Sequence, residues 1–190
     1  MNETESSVRK PDARTRYTKR IIKRTFLELL KEKPIRAVTV KELCARAEIN
    51  RTTFYNHFMD IYDVQEQVER DLLEQLQLRM GQYTGRELLL IILREVRDHR
   101  EEMAVLLERL GDQGFLARMA GGCHAWIAAH PPEQKSAAHD FLTDPKNFGY
   151  FAGGIGGVIG WWIKSGMKES PEEIADYIGR CSSALWEKDT

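Results

Sequence analysis

The chain has 190 residues, 42% of them apolar and 30% charged, with 28 Lys and Arg set against 29 Asp and Glu. That composition suits one or two folded domains and excludes general disorder or a fibrous repeat. The charge is unevenly placed: residues 1–60 carry 14 basic and 8 acidic side chains, residues 61–190 carry 14 and 21, so a basic front suited to a polyanion is joined to an acidic remainder.

Residues 1–15 are polar and read as an arm; they lack the apolar core of a signal peptide, which with three widely spaced cysteines (Cys44, Cys123, Cys181) implies reduced thiols and a cytoplasmic protein. From 16 to 33, Ile22, Phe26, Leu29 and Leu30 fall on one helical stripe, and Pro34 stops the run. Thr39 then caps a short helix over 40–47, with Glu42 placed to complete a capping box and Val40, Leu43, Cys44 and Ala47 turned inward. After a turn of about three residues, plugged by Ile49, Asn50 caps a third helix running to Phe58. Phe54 and Phe58, four apart, point to the core, while Thr52, Thr53, Tyr55 and Asn56 lie on or beside the opposite face. This is the layout of a helix-turn-helix, and Arg51, Thr52, Thr53, Tyr55, Asn56 and His57 are groups suited to base edges and phosphates.

A longer helix is expected over 61–80 from the spacing of Ile61, Val64, Val68, Leu72 and Leu76, with Gly81 and Gly85 interrupting it. Helices follow over 86–99, 100–110, 115–129, a short piece after Pro132, 147–165 and 171–186, without strand alternation. The expected architecture is all-α: an arm at 1–15, a DNA-binding domain at 16–62 and a larger helical effector-binding and dimerisation domain at 63–190.

Within that second domain the run 148–163 carries glycines that miss the third position of a dinucleotide-binding loop, and it is too short and too glycine-rich to span a membrane. It reads as a buried helix in which Gly153 and Gly157, and Gly156 and Gly160, open a groove for close approach by a helix of a second subunit. Ser170-Pro171-Glu172-Glu173 starts a last helix, whose Ile174, Tyr177, Ile178, Cys181 and Leu185 share one side. These two helices are expected to pair with their copies in a four-helix bundle. Trp126, Phe141, Tyr150, Phe151 and Trp161 are candidates to line a ligand pocket. Cys123, His124, His130 and His139 match no standard ligand spacing, so no metal or cofactor is expected. Nor is there a clustered nucleophile, base and oxyanion set, so no enzyme is expected.

The segment Thr39-Val-Lys-Glu-Leu-Cys-Ala-Arg-Ala-Glu-Ile-Asn-Arg-Thr-Thr-Phe-Tyr-Asn-His-Phe58, with an amphipathic helix on either side, resembles the DNA-binding domain of the TetR/AcrR family of bacterial transcriptional regulators. The Phe-Tyr-x-His-Phe ending makes the resemblance more specific than a generic helix-turn-helix, and 151–173 resembles the C-terminal region of a subgroup. The resemblance implies a homodimer on a palindromic operator in double-stranded DNA, acting as a repressor that responds to a small-molecule effector. It also implies that Arg51, Thr52, Thr53 and Asn56 face bases, that Tyr55 and His57 hold phosphates, and that Thr39 and Lys41 touch the backbone. Many relatives carry a Lys where this chain has Ile61, which removes one phosphate anchor; the basic run Arg14, Arg16, Lys19 and Arg20 is placed to compensate. The competing reading is a co-regulator that keeps the fold, has lost DNA binding and acts by protein–protein contact.

Overall fold

The structure, a computed structural model, describes residues 13–83, 85–109, 112–132 and 137–184. Among them are ten α-helices and no strand: α1 (Ala13–Glu32), α2 (Val40–Arg46), α3 (Arg51–Tyr55), α4 (Ile61–Met80), α5 (Gly85–Asp98), α6 (Arg100–Arg109), α7 (Asp112–Ala129), α8 (Ala137–Thr143), α9 (Pro145–Lys164) and α10 (Pro171–Ala184). The chain divides within α4 into two compact units, Met1–Glu66 and Gln67–Thr190.

In the first unit the expected stripe of α1 is the core: Ile22, Phe26, Leu29 and Leu30 are buried, as are Leu43 and Cys44 of α2, Phe54, Phe58 and Val64. Burying a side chain of this size contributes roughly 1.5–3 kcal/mol, so these residues rather than helix propensity hold the short elements in place. α1 begins at Ala13, three residues inside the segment read as an arm; the rest of that arm lies outside the described residues. A single 3-10 turn, Ile35–Ala37, follows Pro34. Thr39 caps α2 by accepting the Glu42 amide at 3.2 Å. The expected return half of the capping box gives way to a longer-range contact: the Glu42 carboxylate accepts Lys33 Nζ at 2.6 and 2.7 Å and ties α2 to the end of α1.

In the second unit α10 lies on α5, and α7 packs among α6, α8 and α9. Leu93, Val96, Leu106, Leu107, Phe115, Ile159, Trp162, Ile163, Ile174 and Ile178 form its core. Trp162 is fully enclosed, and its indole Nε1 donates to the Glu169 carbonyl at 3.1 Å across the turn between α9 and α10. α9 stops where Gly166 takes up φ +87°, a left-handed geometry open to glycine, and the Met167 amide returns to the Trp162 carbonyl at 2.9 Å. α10 starts on a complete capping box, Glu173 N to Ser170 Oγ at 3.2 Å and Ser170 N to Glu173 Oε2 at 2.7 Å. These bonds to Ser170 hold the Glu173 carboxyl below its ordinary range. Arg86–Asp176 and Arg94–Glu172 pairs join α5 to α10 at the surface, where solvent screening leaves such pairs little net energy.

Three contacts join α7 to the second half of α4. Arg118 makes a bidentate pair with Glu69, at 2.6 and 2.7 Å, and Glu69 is buried although Arg118 is half exposed. Four residues further along each helix, Leu73 fits over Gly122, where an added Cβ would lie 2.8 Å from Leu73 Cδ1 and 3.1 Å from Cγ. Gln77 Nε2 donates to the Gly122 carbonyl at 3.1 Å, and Trp126 reaches Gly81 just beyond α4. The numbers rise together, so the two helices run parallel with rungs four residues apart. Arg118 is half exposed, so this pair is worth less than a fully buried one, although Glu69 itself is screened from water.

Candidate nucleic-acid interface

α3 is short because its start and stop are both local. Asn50 Oδ1 accepts the Thr53 amide at 2.7 Å, fixing the first turn. At the other end the His57 amide bonds the Phe54 carbonyl at 2.9 Å, a tightened last turn, and the regular helix ends at Tyr55 rather than at Phe58. Asn56 and His57 therefore sit in the closing turn. Phe54 and Phe58 remain in the core, and the Phe54 ring meets Tyr55 edge-on with centroids 5.4 Å apart.

The orientation of α3 follows from those two buried rings. Arg51, Thr52, Tyr55 and Asn56 are exposed, and Thr53 and His57 are half-buried. Thr39 and Lys41, at the start of α2, are exposed, and so is Arg16 on α1. Lys19 lies 5.9 Å over the Phe58 ring and Arg20 5.7 Å over the Tyr17 ring, which seats part of the basic α1 run on aromatic faces. The exposed set is thus rich in donors with few acids on α3 itself. Burial pushes the Cys44 thiol beneath α3 up, and the nearby Arg51 charge partly opposes that.

Ile61 is buried, so the start of α4 carries no cation of its own at that position. Two carboxylates occupy it instead: Asp63 N donates to Asp60 Oδ1 at 2.9 Å, and Met59 N donates to Asp63 Oδ2 at 2.8 Å. Sequence reasoning passed over Met59, Tyr62 and Tyr17, which are the most exposed large apolar side chains of this unit apart from Tyr55. Met59 and Tyr62 carry only the signal of adjacency to the motif, and Tyr17 only that of the basic run in which it stands.

Two family profiles match. "Transcriptional regulator C-terminal region" of the TetR group covers residues 84–183, more than half of the chain, and "Bacterial regulatory proteins, tetR family" covers residues 24–67. The chain is a TetR-family, DNA-binding transcriptional regulator. Among solved structures this regulator is similar to a TetR transcriptional regulator from Streptococcus agalactiae 2603V, at 22% identity and TM-score 0.64, with 87% of this chain and 93% of that one covered. It is also similar to the dihydroxyacetone kinase operon activator DhaS, at 18% identity and TM-score 0.60, covering 88% and 95%. Likeness at this identity speaks to the fold. No curated protein matches the chain by sequence.

In the regulator's second unit the aromatic candidates for a pocket do not converge on one cavity. Trp161 stands on an open groove of about 860 Å³ between α7 and α9, walled by Leu116, Ala120, His124 and Phe148 and floored by α9 glycines. Tyr150 and Phe151 line another groove, of about 350 Å³, with Tyr177 and Cys181 of α10. Trp126 stacks on His130 at the end of α7 and faces Gly81. The Phe141 carbonyl accepts Asn147 Nδ2 at 3.1 Å, and its ring is half-buried.

The residues expected to face a second subunit also separate. Ile174 and Ile178 are largely covered within the protomer, whereas Tyr177 and Cys181, on the same helix, are exposed. Leu185 lies outside the described residues. On α9, a Cβ added at Gly153, Gly157 or Gly160 would meet nothing within 4 Å, and one at Gly156 would only touch Leu116 at 3.8 Å. The three histidines each bond a different main-chain carbonyl, those of Thr143, Trp126 and Ile127. Among the described residues no three metal-ligating side chains gather, and no helix is long and apolar enough to cross a membrane.

Proposed function

We propose that this regulator acts as a cytoplasmic homodimer on a palindromic operator, reading each half-site with α3 through Arg51, Thr52, Thr53 and Asn56. Tyr55, His57, Thr39, Lys41 and Arg16 hold the flanking phosphates. The observation that carries this reading is the capped α3 and its closing turn, where Phe54 and Phe58 are buried while Arg51, Thr52, Tyr55 and Asn56 stand in solvent. Arg forks to guanine, Asn pairs with adenine and the threonine methyl meets that of thymine, so this short segment holds a complete set for base readout. The reading domain spans 16–62 and the effector and dimer domain 63–190.

Dimerisation is supported by what α9 leaves unused. Each interior glycine costs a helix about 1 kcal/mol relative to alanine, yet a Cβ added at Gly153, Gly157 or Gly160 would meet nothing within 4 Å in the protomer. Beside them Tyr150, Trp161 and Tyr177 expose large aromatic surfaces. A second copy of α9 and α10 uses both features. The groove between α7 and α9 shares those glycines and Trp161, so a small molecule held in it would lie at the proposed dimer contact and make assembly, and with it operator binding, conditional.

The test is a gel shift on the region upstream of the regulator's own gene. Arg51→Ala is expected to cost about 1–3 kcal/mol and to relax preference at one base pair, whereas Lys41→Ala weakens all sequences alike and lowers the salt slope by about one. Retention that ignores salt, or none at all in dilute salt, would sink DNA reading and leave the co-regulator, which the carboxylates at the start of α4 favour. Deleting the gene decides the sign of regulation: a rise in its own promoter's output marks a repressor. A fall marks an activator, the role that the name of one structural relative states for that protein.

A further inference from the structure

We propose that the groove between α7 and α9 is a site for an unbranched, singly anionic amphiphile, a long-chain carboxylate, and that such a molecule competes there with the second copy of the chain. The inference deepens the small-molecule reading of that groove and rests on it. α9 supplies the floor along its whole length, because Gly149, Gly153, Gly156, Gly157 and Gly160 all border the groove. α7 forms the facing wall in a fixed register. A Cβ at Gly156 would lie 3.8 Å from Leu116 Cδ1, and the Phe148 ring centroid is 4.9 Å from that of His124. The α7 numbers rise while the α9 numbers fall, so the two helices run antiparallel, side by side through the groove.

Shape and charge select the occupant. From Pro145 to Lys164 the floor is about 28 Å long, and the groove's volume of about 860 Å³ spread over it leaves a mean section of about 30 Å². A helix with its side chains, about 10–12 Å across, needs about three times that section. It reaches the glycines only by lying along an empty groove, whereas one extended chain sinks into it. The two occupants share Gly153, Gly157, Gly160 and Trp161, and so exclude each other. Among the described residues that line the groove, Lys164 alone carries a permanent charge, and no carboxylate is present. Lys164 stands at one end with the exposed Trp161. At the other end His124 bonds the Thr143 carbonyl through Nε2 at 3.0 Å and meets Phe148 ring to ring. One end thus suits a carboxylate and the other a hydrocarbon terminus. Helical side chains lean toward the N-terminus, so the Lys164 ammonium acts at about the level of Trp161, about 20 Å from Phe148. At about 1.2 Å per bond of extended chain, that distance takes about sixteen carbons.

The experiment titrates the full chain by calorimetry with hexadecanoate, dodecanoate and hexadecylammonium, each below the concentration at which it forms micelles, while circular dichroism checks that helix content is unchanged. Hexadecanoate is expected to saturate at one molecule per chain and to bind about tenfold tighter than hexadecylammonium. Dodecanoate, four methylenes shorter, should bind about tenfold more weakly than hexadecanoate in so open a groove. Lys164→Glu should reverse the preference between the two head groups, which a merely structural role for Lys164 would not do. Gly153→Leu fills the middle of the floor and should weaken hexadecanoate at least about tenfold; should it fail to fold, Ala117→Leu obstructs the facing wall to the same effect. Sedimentation equilibrium reads the competition: hexadecanoate at about ten times its dissociation constant should ease dimer dissociation about a hundredfold, since each dimer releases two sites. Hexadecylammonium bound as tightly as hexadecanoate, or a preference that Lys164→Glu leaves in place, would overturn the anionic class. Hexadecanoate held undiminished by the groove-filling variants lies elsewhere and overturns the site. No saturable binding overturns the proposal without touching the broader reading, which asks only that some small molecule occupy the groove. A dimer that persists unchanged with hexadecanoate bound overturns the competition. A chain that is monomeric without hexadecanoate refutes the pairing instead, and the charge reversal then decides the site alone.

Discussion

Substituting Gly153 and Gly157 by alanine separates the needs of one protomer from those of a pair. In the protomer a methyl group at either site meets nothing within 4 Å, so each change should stabilise α9 by about 1 kcal/mol through lost backbone freedom in the unfolded chain. Two such changes, at about 2–4 °C per kcal/mol for a chain of this size, raise the melting temperature of the dilute, dissociated protein by about 4–8 °C. In the proposed dimer the same methyl groups stand where a second helix packs, and overpacking there costs about 1–3 kcal/mol. Dissociation should then be easier by roughly tenfold to a hundredfold. Circular dichroism melts across a range of concentrations give the first quantity, because the melting point of a dimer depends on concentration. Sedimentation equilibrium gives the second. A raised melting temperature with unchanged association would place the dimer contact elsewhere than on these glycines. No rise at all in the dissociated protein would refute the helix argument itself.

Asn50→Ala removes the side-chain acceptor for the Thr53 amide and should destabilise the first unit by about 1 kcal/mol, read as a lower denaturant midpoint; an unchanged midpoint would show that the cap contributes nothing. Burial pushes the Cys123 thiol up to about 11 from 9.0. A raised acid stabilises the fold below its unfolded pKa and loses that contribution as pH climbs towards the folded value, so stability should fall between about pH 9 and 11 by roughly 2–3 kcal/mol on this account. Because tyrosines and lysines titrate in the same window, the check is the difference from Cys123→Ala, which should lack that component of the decline.

Local chemistry was legible in the sequence, and neighbours distant along the chain were not. The caps at Thr39 and Asn50 and the stop at Pro34 rest on contacts within four residues, the four-residue spacing of Phe54 and Phe58 marks their inward side, and the structure has them as expected. The end of α3 was misjudged because the helical spacing of Phe54 and Phe58 persists through a turn that is no longer α-helical. Glu42 was expected to complete its own box, but Lys33, nine residues back, competes for its carboxylate and wins with a full charge. On α10 periodicity finds the apolar side but not where α5 stops covering it, so Ile174 and Tyr177 looked alike until the neighbour was placed. Trp161 and Trp162 are adjacent in sequence and about 100° apart on a helix; only the packing shows that the second is enclosed and the first is not. The Glu69–Arg118 pair, 49 residues apart, leaves no trace in either local pattern.

The acidic entrance to α4 bears on how this regulator finds its site in a genome. Amides at the head of a helix ordinarily offer any duplex a sequence-blind grip, yet here Asp60 and Asp63 already engage the amides of Asp63 and Met59. Each phosphate forgone means fewer counterions displaced from arbitrary sequence and a shorter stay on it. In the proposed complex the background of competing sites is lowered more than the target is, because base-edge contacts from α3 would not depend on that grip. On that proposal discrimination improves by withholding adhesion rather than by adding recognition.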